Sequence, residues 1–82
     1  MKLIETIIHF TPREKEAMQL FQDDFVYKEI AGLMNIAEET VKGMTKAIFK
    51  KINVHSICKM VRWMKEHDMT QEFFTVFLPE VH

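Results

Sequence analysis

Only two glycines and two prolines punctuate the 82 residues, so long uninterrupted helices are the natural expectation. A single cysteine, Cys58, excludes an internal disulfide framework and fits a reducing compartment. No apolar run approaches the roughly 18 residues of a membrane span, and Glu5 stands where a secretory signal would be apolar. A cytoplasmic protein with no membrane partner is therefore expected. His9, His55, His67 and His82 share no three- or four-residue spacing on any predicted helix, and Cys58 has no Cys or His partner at ligand spacing. Neither a metal nor a cofactor is expected. Nothing in the sequence sets a base beside the Cys58 thiol, which is read as a helix-packing group, and the chain is not expected to be an enzyme.

Net charge is also scarce, at a formal −1, whereas nucleic-acid-binding domains are usually basic overall. Its distribution is uneven. Between Lys28 and Lys51 five lysines face three glutamates, a local excess of +2, and the remainder of the chain carries −3. A composition of 48% hydrophobic and 28% charged residues describes a globular protein, and the length suits a single domain, 1–82, with a modest core. An oligomer is plausible for a core that small.

Helix starts are the strongest local signals. Thr11 can cap a helix through Gln22, with Pro12 at its first position and Glu14 completing a capping box. Ala17, Met18, Leu20 and Phe21 follow helical spacing, and the acidic pair Asp23 and Asp24 ends the run. A second, short helix is predicted from about Val26 to Met34, with Ile30, Ala31 and Leu33 inward. After the tight connection at Asn35 and Ile36, a third runs from about Glu38 to Ile52, burying Val41, Met44, Ile48 and Ile52 at steps of three and four. Its other face carries Glu39, Lys42, Gly43, Lys46 and Lys50. Ser56 caps a fourth helix reaching about His67. There Ile57, Met60, Val61 and Met64 form a stripe that Cys58 and Trp63 widen to an apolar arc of roughly 220°, at about 100° per residue. Either the chain ends cover the excess or a second copy does. Met1 to His9 fits helix or strand, since Ile4, Ile7 and Ile8 match one period and the β-branched content the other. Thr70 to Val81, with Phe73, Phe74, Val76, Phe77 and Leu78, must pack on something.

A short helix, a tight turn and a longer helix with a lysine-bearing outer face is the helix-turn-helix pattern, whose second helix enters the major groove. The blocks FTPREKEAMQLF (Phe10 to Phe21), KEIA (Lys28 to Ala31), EETVK (Glu38 to Lys42) and IFKKINVHS (Ile48 to Ser56) resemble the LuxR-type, or GerE-type, domain at that family's spacing. Region 4 of sigma factors shares the earlier blocks, but the step from Val54 to Ser56 into a fourth helix favours the LuxR type. The resemblance implies an all-α, four-helix domain at 10–67, flanked by extra segments 1–9 and 68–82. It also implies a bacterial transcriptional regulator that binds double-stranded DNA through helix 38–52 and forms a homodimer through helix 56–67. Carried over by position, Lys42, Gly43 and Lys46 face base edges or nearby phosphates, and Lys28, Thr40 and Lys50 contact phosphates. Ile57, Cys58, Val61, Trp63 and Met64 form the dimer contact. Another regulatory protein or RNA polymerase is a further expected contact.

The chain departs from the family pattern at four informative places. Asp24 stands where the family usually has Gly, Val26 and Tyr27 where it has a small polar pair, Ala37 where it has serine, and Met44 where histidine is common. These changes motivate a second reading, in which a degenerate helix-turn-helix pairs with another regulator without binding DNA.

Overall fold

The computed structural model describes residues 2–80; Met1, Val81 and His82, the outermost residues of the two predicted flanking segments, lie outside the described residues. Its order is β1 (Leu3–Ile8), α1 (Pro12–Gln22), α2 (Tyr27–Met34), α3 (Glu38–Ile52), α4 (Ile57–Glu66) and β2 (Phe74–Pro79). The four helices are those predicted, with boundaries within a residue or two. The expected all-α class is corrected. β1 and β2 pair antiparallel, with Ile8 opposite Phe74, Thr6 opposite Val76 and Leu3 opposite Pro79.

Capping chemistry sets the helix starts. Thr11 Oγ1 accepts from the Glu14 backbone N–H at 3.1 Å, and Glu14 Oε1 accepts from the Thr11 N–H at 2.8 Å, closing the predicted capping box. Ser56 caps α4 by accepting from the Lys59 N–H at 3.2 Å. The first three helices end through left-handed residues: Asp24, Asn35 and Asn53 have φ of 69°, 57° and 55°. Asn and Asp tolerate this region better than most residues. At Asp24 the backbone thus takes the conformation for which the family's usual glycine is suited.

Ala17, Met18 and Phe21 of α1, Ile30, Ala31 and Met34 of α2, Val41, Ile48 and Ile52 of α3, and Met60 and Met64 of α4 meet in one core. Two inward assignments are corrected. In α2 the buried residue is Met34 and Leu33 is exposed, because the hydrophobic face continues from Ile30 by four residues rather than three. In α3 Thr45 is buried and Met44 is only partly so. Thr45 Oγ1 donates to the Val41 carbonyl at 2.8 Å, which satisfies the hydroxyl inside an apolar core.

An isolated two-stranded ribbon is marginal in water, and here the helices hold it. Ile8, Phe74 and Val76 turn inward and join the core. Phe74 lies 5.2 Å from Trp63 and 5.7 Å from Phe10 between ring centroids, and Trp63 stacks on His67 at 4.0 Å. The loop before β2 is tied to α1 where Lys15 Nζ donates to the Gln71 carbonyl at 2.9 Å.

Candidate nucleic-acid interface

α2 and α3 are held in a fixed pair by their turn. The Ile36 N–H donates to the Ala31 carbonyl at 3.0 Å, and Arg13 Nη2 donates to the Met34 carbonyl at 2.9 Å, satisfying acceptors at the end of α2. Val26 offers no capping hydroxyl, but half of a capping box survives, since the Val26 N–H donates to Glu29 Oε1 at 3.0 Å. Ala37 likewise provides no side-chain cap. Glu38 and Glu39 in the first turn of α3 complement its dipole instead.

The buried seam of α3 runs through Val41, Thr45, Ile48 and Ile52. At about 100° per residue the direction opposite that seam passes among Gly43, Lys46 and Lys50. All three are exposed, as are Thr40 on one flank of this face and Lys28 on α2. Lys42 lies on the other flank and is half-buried; its Nζ is 3.5 Å from Glu39 Oε1 and 5.9 Å from the centre of the Tyr27 ring. All six predicted contact residues therefore belong to α2 and α3, and five are open to solvent. A shallow concavity in front of α3 is lined by Tyr27, Glu39, Lys42, Gly43, Lys46 and Phe49.

Gly43 is informative because nothing around it requires a glycine. A Cβ there would meet no atom within 4 Å, and its φ is not positive. A mid-helix glycine weakens a helix by roughly 0.5–1 kcal/mol relative to alanine, and no packing inside the protein compensates.

Lys51 leaves the basic surface that the charge distribution implies. Its Nζ is 2.6 Å from Glu14 Oε1 and 3.1 Å from the His9 carbonyl oxygen, so it joins the end of α3 to the start of α1. Burial alone raises the pKa of Glu14. The Lys51 hydrogen bond, the Thr11 N–H and the Lys51 charge outweigh it and hold the carboxyl below its ordinary value. Local sequence marks Glu14 as a capping residue but gives no sign of this partner, which is 37 residues away.

The five residues predicted for a dimer contact do not share one surface of α4. Met64 is buried in the protomer's own core, and Trp63 is half-buried against Phe10 and Phe74. Part of the wide apolar arc is thus covered by the chain's own ends. Ile57, Cys58 and Val61 lie on the opposite flank, beside Phe21 and Asp24. Cys58 is a free, exposed thiol. Among the described residues no group of three or more His, Cys, Asp or Glu side chains could hold a metal ion, and no helix is long and apolar enough to cross a membrane.

The chain is similar to the response regulator Rre1 of Synechocystis sp., with 28% identity over 64 residues, which make up 78% of this chain and 28% of that protein. The chain thus spans less than a third of that relative's length. No solved structure gives a significant match. The family model described as bacterial regulatory proteins, luxR family, matches residues 9–64, a segment that contains the whole of α1, α2 and α3 and most of α4. The chain belongs to the luxR family of bacterial regulatory proteins.

Proposed function

We propose that this protein is a sequence-specific DNA-binding transcriptional regulator that lays α3 in the major groove. The observation that carries the reading is the outward face of α3, where exposed Lys46 and Lys50 flank a glycine that the fold itself does not need. A helix surface without a side chain at its centre lets the backbone approach a groove wall, and the lysines neutralise phosphates or donate to guanine O6 and N7. Lys42, Thr40 and Lys28 extend the contact on either side. Dimerisation through α4 rests on the strip formed by exposed Cys58 and half-buried Ile57 and Val61, and two such protomers read a two-fold related site.

Exposed Val26, immediately before α2, and Leu33 on it favour the second reading, a helix-turn-helix that docks on another regulator. Fluorescence anisotropy with generic duplex DNA at several salt concentrations separates the two. DNA binding predicts an affinity that falls steeply with salt, and Lys46→Ala and Lys50→Ala each flatten the log–log slope by about 0.9 for every phosphate that is no longer neutralised. No binding by the folded protein at low salt leaves the interaction module as the function.

A further inference from the structure

The β1–β2 ribbon carries the largest exposed apolar surface that the core does not explain. Leu3, Ile7, Phe73 and Phe77 are 56%, 70%, 56% and 60% exposed. They share one face. Strand alternation turns Thr6, Ile8, Phe74 and Val76 toward the helices, so Leu3, Glu5, Ile7 and His9 look outward from one strand line and Phe73, Thr75 and Phe77 from the other. His9 and Phe73 already touch edge to face at 6.0 Å between ring centroids.

We propose that this face binds the same face of a second copy of the chain, with the two-fold axis crossing the ribbon at the Ile7–Thr75 pair. The register supplies the argument. Rotation about an axis at that pair, perpendicular to the strands and parallel to the sheet, sets β1 on the partner's β1 and β2 on the partner's β2, each running antiparallel. Residues two positions to either side of the axis then exchange places. Phe73 meets Phe77 of the other copy, and Glu5 meets its His9, an aromatic on an aromatic and a carboxylate acceptor on an imidazole donor. Each match occurs twice. Area agrees with this. At about 200 Å² for a whole side chain of this size, the exposed fractions of Ile7, Phe73 and Phe77 amount to about 370 Å² per copy, or about 750 Å² for two copies. Glu5, His9 and Thr75, also exposed and within two positions of the axis, add to this and bring the contact to about 1,000 Å², the size at which a specific interface begins.

The face is separate from the apolar strip of α4, which lies beside Phe21 and Asp24, whereas the ribbon covers the Trp63 side. Self-association through the ribbon rests on no part of the DNA reading.

Sedimentation velocity over a concentration series tests it, in the wild-type chain and in a Val61→Glu background that removes any association through α4. Far-UV circular dichroism checks the fold of each variant, and all the ribbon positions changed are exposed. Phe77→Glu is expected to weaken association at least about a hundredfold in both backgrounds. Glu5→Lys weakens it roughly tenfold, and Glu5→Lys combined with His9→Glu returns it to within about threefold of the starting value, because the exchanged charges face each other again across the axis. Val61→Glu protein that stays monomeric throughout overturns the proposal and assigns the face to a different protein. So does association unchanged by Phe77→Glu, or a double variant as weak as Glu5→Lys alone.

Discussion

The helical part of this molecule and its terminal ribbon solve the same problem in opposite ways. In α3 every large side chain that turns inward is covered by the same chain, and the outward face is lysine, glutamate, alanine and glycine. In the ribbon Ile8, Phe74 and Val76 are buried, yet the face turned away from the helices carries exposed leucine, isoleucine and phenylalanine. A polar outward face suits a polyanion or water, and an apolar one needs another apolar surface. The contrast separates a region that is complete in one copy from a region that is not.

Three substitutions sharpen the comparison. The largest effect is expected where the two regions meet: Phe74→Ala removes the ring between Trp63 and Phe10 and should cost about 3–5 kcal/mol in urea unfolding. A much smaller change would mean that the ribbon contributes little to the helical core. Next is the Lys51–Glu14 pair. Glu14→Gln should destabilise by about 1–3 kcal/mol at neutral pH, since it leaves Lys51 without its carboxylate. Because the folded pKa of Glu14 lies below its ordinary 4.5, its contribution is fully present above that value and is lost as pH falls through the folded one. The gap between wild type and variant should therefore close on acidification below about pH 4.5. A gap that persists at about pH 2 would assign the effect to packing. Smallest is Gly43→Ala, expected to raise stability by about 0.5–1 kcal/mol while weakening DNA binding. Raised stability with unchanged binding would remove Gly43 from the interface.

The legible parts of the fold are those encoded by near neighbours. Thr11, Pro12 and Glu14 announce α1 within four residues, and Ser56 announces α4, because a cap and its acceptor lie close in sequence. Phase is harder to read in the eight-residue α2, where two turns do not distinguish Leu33 from Met34. Thr45 does not look like a core residue in the sequence because its polarity disappears only once its hydroxyl is bonded to the preceding turn. For β1 the isoleucine spacing fits one period and the β-branched content the other, and the deciding partner is near the other end of the chain. The residues proposed for the contact on α2 and α3 come from the family resemblance, and the fold leaves five of the six exposed. Trp63 and Met64 point to a dimer surface in the sequence and not in the fold, because a helical wheel shows that an arc is apolar but not what covers it.

The pairing of residue 3 with residue 79 also has a kinetic consequence. Helical contacts close loops of a few residues, whereas this one closes nearly the whole chain and carries a correspondingly larger closure entropy. The ribbon's inward side chains have no surface to settle on until Phe10 and Trp63 are in place. Strand pairing therefore carries a larger closure cost than any contact between neighbouring helices, and whenever it opens both strands offer their backbone edges to other molecules.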